Sequence, residues 1–128
     1  MRFLIAAAAL PMIAFASPAA AGDPAAGQRV FNQCRACHMV GENARHTVGP
    51  HLNGLFGRVA GEIEGYNFSR AFDDIDKIWD EENFALYIRN PREVTPGTRM
   101  VFAGLRNDQQ IADLTAYLKQ FNEDGTTN

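Results

Sequence analysis

Cys34-Arg35-Ala36-Cys37-His38 decides how the rest of the chain is read. It is C-x-x-C-H, the attachment pattern of haem c. Two residues between the thiols match the separation of the two vinyl groups on one edge of a porphyrin, so both sulfurs can form thioethers to one ring. A histidine directly after the second cysteine brings an imidazole nitrogen under the iron. Cys34 and Cys37 are therefore expected to hold one covalent haem c, with His38 as an axial iron ligand. Two other uses compete. A thioredoxin-like redox pair needs a strand before the motif and a helix after it. Here a helix leads in. Structural zinc needs four ligands, and only His46 and His51 remain as further histidines.

The residues N-terminal to the motif read as a leader. Arg2 is followed by an apolar run from Phe3 to Phe15, broken at Pro11, and then by the small residues Ala19-Ala20-Ala21. This is a secretory signal peptide pattern over residues 1–21, with cleavage before Gly22. The run falls short of the roughly 20 apolar residues that span a bilayer. Export agrees with the motif, since haem c is attached outside the cytoplasm. Loss of Arg2 with the leader takes the net charge from −3 to −4. A mildly acidic domain argues against nucleic-acid binding, and no block of like charge suggests a membrane-gripping tail.

Asp23-Pro24 opens a helix that is expected to run from about Ala25 to Cys34, with aspartate as cap and proline at the first position. Glycine-rich loop follows from Gly41 to Gly65, enclosing the short apolar stretch Leu52 to Phe56. Ser69 to Ile75 is expected as a short helix. Asp80 caps a clearer helix, with Glu81 and Glu82 in its first turn, and Pro91 ends it near Asn90. A second loop is expected from Pro91 to about Arg106. Asn107 caps the last helix, where Ile111, Leu114, Leu118 and Phe121 form one apolar face. Residues 22–121 thus form one all-α domain, with three main helices, a short helix and long loops. Residues 122–128 read as a flexible tail. Loops this long in a small domain need a reason. A large apolar cofactor for them to wrap would supply it.

The sixth iron ligand separates an electron carrier from a haem enzyme or gas-binding protein. Met39 adjoins His38 and cannot reach the opposite face. Met100 ends Thr95-Pro96-Gly97-Thr98-Arg99-Met100, where Pro-Gly favours a tight turn. The residues alone leave three readings open: Met100 as ligand, Met100 as core filler, or a second histidine ligand from His46 or His51.

The chain resembles the class I cytochromes c of the short bacterial and mitochondrial-like type. The resemblance spans about Asp23 to Phe121. It rests on Cys34 to His38, His46, Gly49 to Arg58, Gly65-Tyr66, Trp79, Tyr87, Asn90-Pro91, Pro96 to Met100 and Ala112 to Lys119, in the family's order and spacing. It implies the cytochrome c fold around one haem c, with His38 and Met100 as the axial iron ligands. It also implies that the Pro50 carbonyl accepts the His38 ring N–H. Tyr87 should lie near the Met100 sulfur. Arg58 and Trp79 should help hold the haem propionates. Gly27 and Phe31 should cross Leu114 and Tyr117. The implied function is that of a monomeric, non-enzymatic electron carrier of the periplasm, meeting redox-protein donors and acceptors transiently. Arg45, Arg92, Arg99 and Arg106 fall at basic positions of the family's docking ring. A peroxidase-like or gas-binding haem protein with a labile distal ligand is the alternative.

Two departures stand out. Phe68 falls where many relatives have a tyrosine that hydrogen-bonds a propionate, and Phe72 where some have asparagine. Both remove polar partners from the lower haem edge. Phe68→Tyr is therefore expected to shift the reduction potential in a redox titration. An unchanged potential would refute that reading.

Overall fold

The computed structural model describes residue 1, residues 3–13 and residues 21–128. Most of the proposed cleavage region, residues 14–20, and Arg2 lie outside the described residues. No described helix is long and apolar enough to cross a membrane.

Among the described residues, four α-helices and one 3₁₀ turn form the frame, in the order α1 (Pro24–Phe31), the 3₁₀ turn (Arg70–Phe72), α2 (Glu81–Arg89), α3 (Pro91–Val94) and α4 (Asp108–Leu118). The architecture is all-α. Among the described residues only two isolated bridges, Val59 with Ile78 and Phe121 with Thr127, pair in the β manner.

Local signals start each main helix. The Asp23 side chain accepts from Ala25 N at 3.0 Å, and Pro24 occupies the first turn of α1. Asp80 accepts from Asn83 N at 2.7 Å, and Glu81 and Glu82 favour the positive end of α2. Asn107 accepts from Gln110 N at 3.0 Å at the start of α4. The sequence expectation for α1 overshoots. The helix stops at Phe31, and the chain continues through hydrogen-bonded turns as far as His38. The short helix expected over Ser69 to Ile75 contracts to the 3₁₀ turn.

Pro91 does more than end α2. Asn90 closes α2 through its own N–H and caps α3 through its side chain, which accepts from Glu93 N. A proline has no N–H to donate, which costs nothing at the first position of a new helix. The segment expected as loop from Pro91 onward therefore begins with a helical turn.

The core lies where α1 crosses α4. Phe31, Leu114 and Leu118 are fully buried, and Val30, Ile111 and Tyr117 surround them. The Phe31 and Tyr117 rings meet at 5.5 Å between centroids. At the crossing, Gly27 rests directly on the α4 backbone. A Cβ there would run into the Asp113 carbonyl and lie 2.7 Å from Tyr117 Cβ. Asp113, although buried, is satisfied: its carboxylate accepts from Asp23 N at 2.8 Å and Gln109 Nε2 at 2.9 Å. Those bonds, led by the Asp23 N–H, hold it below the usual carboxylate range. Leu105 N bonds Ile88 O at 2.8 Å and joins the second long loop to α2.

Gly27→Ala forces the two helices apart at their closest point. The expected cost is about 3 kcal/mol, read as a lower urea midpoint. An unchanged midpoint would show that the crossing has room for a side chain.

Candidate functional site

The turn after α1 presents the motif. Cys37 N and His38 N both donate to Cys34 O, at 3.1 and 2.9 Å. The Cys37 carbonyl in turn accepts from Gly49 N at 2.8 Å and from Thr47 Oγ1 at 2.7 Å. Motif and following loop are thus pinned to each other. The two cysteines are not joined by a disulfide. Burial, reinforced by Cys37 and opposed by Arg35, pushes the Cys34 thiol up to about 11. A thioredoxin-like nucleophile needs the opposite, a lowered pKa that yields thiolate. That use of the pair is disfavoured.

His38 is held by one strong contact. Its Nδ1–H donates to the Pro50 carbonyl at 2.7 Å. With the proton on Nδ1, Nε2 keeps its lone pair. Burial and the nearby Arg58 charge lower the His38 pKa, against the pull of the Pro50 bond, so the neutral, ligating form is favoured. Gly49 lies flat on the ring, where a Cβ would meet Cε1 at 2.5 Å.

On a separate loop, the Thr95 to Thr98 turn closes with Thr98 N donating to Thr95 O at 3.1 Å, with Gly97 at φ +88°. Met100 follows. Its N–H donates to Thr98 Oγ1 at 3.3 Å, and its sulfur accepts from the Tyr87 hydroxyl at 3.5 Å. Tyr87 and Thr98 hydroxyls are 3.2 Å apart. When Thr98 donates to Tyr87, the three bonds close a ring. Burial raises the Tyr87 pKa, so its hydroxyl keeps the proton it donates.

Trp79 is buried beside Tyr87, with ring centroids 5.1 Å apart. Backbone bonds tie it to the Arg58 segment: Trp79 N to Arg58 O and Gly57 N to Trp79 O, both 2.8 Å. Arg58 donates through Nη2 to His51 O at 3.2 Å and Asn53 O at 2.8 Å. Its Nε and Nη1 groups carry no hydrogen bond among the described residues, leaving donors for an anionic group. Phe68 and Phe72 lie between Tyr66 and Tyr87 in a row of edge-on and tilted ring contacts, with centroid separations of 4.9, 5.4 and 6.3 Å.

His46 and His51, the competing histidines, stack in parallel at 4.9 Å. Both His46 ring nitrogens are engaged, Nε2 donating to Glu64 O at 2.8 Å and Nδ1 accepting from His51 N at 3.1 Å. His51 Nδ1 accepts from Asn53 N at 3.2 Å. Burial, with the charges of Arg58 and His46, lowers the His51 pKa. Arg45, Arg92, Arg99 and Arg106 are all exposed.

Three features escaped sequence reasoning. Ser69 Oγ and Thr95 Oγ1 are buried hydroxyls without a protein partner among the described residues. Each such group costs about 1–3 kcal/mol unless something polar meets it, and nothing local in the sequence marks them. Asn53 is the third. Only 4% exposed, it accepts from Gly41 N and donates to Gly41 O, both at 2.9 Å. It fastens the loop leaving the motif to the loop that carries Pro50. Two cysteine sulfurs on one turn, a neutral imidazole with its outer nitrogen available, an anchored thioether and a guanidinium with spare donors together fit one c-type haem.

The Cytochrome c family model matches residues 24–122. The chain is 50% identical over 115 residues to cytochrome c2 of Blastochloris viridis, covering 90% of this chain and 91% of that protein. It is 51% identical over 106 residues to cytochrome c-554 of Methylosinus trichosporium, covering 83% and 80%. Cytochrome c-550 of Nitrobacter winogradskyi is 47% identical over 104 residues, covering 81% and 95%. Among solved structures, cytochrome cH from Methylobacterium extorquens superposes with a TM-score of 0.71 at 39% identity, covering 77% of this chain and 98% of that one.

Asn53→Ala leaves both polar groups of Gly41 without their partner. The expected loss is about 2 kcal/mol of unfolding free energy, measured by denaturant titration. A variant as stable as the parent would mean that water replaces the side chain at no cost.

Proposed function

The chain belongs to the cytochrome c family, and from that premise we propose that it is a periplasmic one-electron carrier whose iron is closed by His38 and Met100. Family membership brings a covalent haem c and a part in electron transport. The finer reading concerns which residues hold the group and where the protein works. Cys34 and Cys37 form the thioethers, and Pro50, Arg58, Trp79 and Tyr87 make up the haem's surroundings.

One observation carries the proposal: the Met100 sulfur is aimed and held, by the Tyr87 hydroxyl at 3.5 Å and by the Met100 N–H on Thr98. A methionine that only filled a gap would need neither. His46, with both ring nitrogens engaged, is a poor competitor for the same position.

Bound haem c supplies a one-electron iron couple. The chain's residues make that couple reversible. His38, oriented by Pro50, would ligate the iron in its neutral form. Met100 would supply the second ligand from its own loop. With both ligands supplied by the protein, no substrate would need a place at the metal, and one ligand set would serve both oxidation states. Thioether ligation raises the potential. The apolar residues of the interior act in the same direction, because they disfavour the extra charge of the oxidised form.

The leader pattern over residues 1–21 supports export, and a domain beginning at Gly22 keeps α1 and its Asp23 cap intact. The exposed arginines 45, 92, 99 and 106 suit acidic faces on transient redox partners.

The optical spectrum of the oxidised protein tests the ligand set. A long-wavelength methionine-to-Fe(III) band is expected, and Met100→Ala is expected to abolish it. A high-spin spectrum in the unaltered protein would overturn the closed centre and favour a haem enzyme or gas binder.

A further inference from the structure

The C-terminal residues were expected to form a flexible tail, yet they fold back as a hairpin. Phe121 pairs with Thr127, and Asn122 N bonds Thr126 O at 2.8 Å. Gly125 N bonds Asn122 O at 2.9 Å, and Asn128 N bonds Gln120 O at 3.0 Å. Two contacts dock the hairpin on the haem loops. Gly54 N donates to Phe121 O at 3.1 Å, and Gly125 is buried against the Gly41 carbonyl.

This docking carries Glu123 across Gly54, where a Cβ would meet Glu123 Cγ at 2.5 Å. Glu123 thereby lines the same surface hollow as Arg58, together with His51, Glu62 and Glu64. Arg58 is partly buried, and burial pulls its pKa below the usual guanidinium value. Glu123 is the carboxylate that pulls it back. The next residue behaves differently. Asp124 turns into the hairpin, where its carboxylate accepts from Thr126 N at 3.0 Å and Thr126 Oγ1 at 2.6 Å, and it does not line the hollow.

We propose that Glu123, held in place by the C-terminal hairpin, offsets the charge of Arg58 and so keeps the reduction potential of the haem below the value Arg58 alone would set. This rests on the reading of the site as a haem site with Arg58 beside it. Arg58 is a positive charge that disfavours the oxidised iron. A nearby carboxylate weakens that effect. Glu123 acts through Arg58 and is a positioning residue, and the hairpin is what sets its backbone beside Gly54.

The test is a redox titration of the haem-loaded full-length protein with Glu123→Gln and, as a control of equal charge change, Asp124→Asn. At low salt, Glu123→Gln is expected to raise the ratio of reduced to oxidised protein about twofold at fixed ambient potential. That corresponds to ~18 mV, at about 59 mV per tenfold for one electron. Asp124→Asn is expected to move it much less. The Glu123 effect should shrink in 1 M salt, where the screening length falls to about 3 Å. An unchanged potential in Glu123→Gln, or an equal rise in Asp124→Asn, would overturn the inference while the haem spectrum stays normal. A protein with no c-type spectrum would fail at the earlier step and refute the haem reading itself.

Discussion

The backbone contact between Gly27 and Asp113 is the constraint from which the rest of the site follows. It sets how closely α1 can lie on α4. Phe31 is fully buried against Tyr117 only because the helices meet there. Phe31 is also the last residue of α1. The turn that carries Cys34, Cys37 and His38 starts from that anchored point, with Cys34 N donating to Phe31 O at 2.7 Å. A helix that rocked on α4 would move both thiols and the imidazole together. Asp113 adds a second fastening from the same residue, since its carboxylate holds the N–H of the residue that caps α1.

The segments between the helices are long, and several of the hydrogen bonds that fasten them meet at or beside the functional residues. Asn53 pairs with both polar groups of Gly41. Pro50 holds His38. Arg58 bonds two carbonyls of the same loop, and its own carbonyl takes Trp79 N. The Asn53 and Pro50 bonds each span twelve residues and the Trp79 bond spans more, so ordering one stretch of loop orders the next. This answers how loops of such length stay compact: they are cross-fastened around an interior that several of them share.

Much of this was legible in the sequence, wherever the signal was local. The caps Asp23, Asp80 and Asn107 lie within three residues of the N–H groups they accept from, so each start could be read directly. Ile111, Leu114 and Leu118 repeat along one face of α4 and are buried as their spacing implies, whereas Phe121, expected on the same face, lies beyond the end of α4 and is half-buried. Pro91 was harder. The rule that a proline ends a helix and the rule that it begins one apply to the same residue, and only the Asn90 side chain shows that both operate. The tail failed for a different reason. Asn122 to Asn128 is polar throughout, and polarity says nothing of a hairpin whose anchors, Gly41 and Gly54, lie far upstream. Likewise, nothing near Ser69 or Thr95 reveals a hydroxyl stranded in the interior. Burial without a partner is a property of the assembled fold.

The use of loops around the site is itself a physical requirement. In a helix interior every carbonyl is already committed to the N–H four residues on, so it makes a poor clamp for an imidazole. Pro50 lies in a loop, and its carbonyl is free to take the His38 proton at 2.7 Å. The Cys37 carbonyl, just beyond α1, receives both Gly49 N and Thr47 Oγ1. On the opposite loop, the Met100 N–H has no ladder partner and is satisfied by Thr98, whose hydroxyl also meets Tyr87. Tyr87 itself comes from α2, whose backbone is occupied, and contributes only its side chain. The helices supply rigid positions and buried side chains. The loops supply the uncommitted backbone groups that orient the candidate ligands. A wholly helical wall would have to replace each of those groups with a polar side chain, and each such side chain would need a further partner of its own. Irregular backbone, fastened at a few points, meets the same need with fewer buried polar atoms.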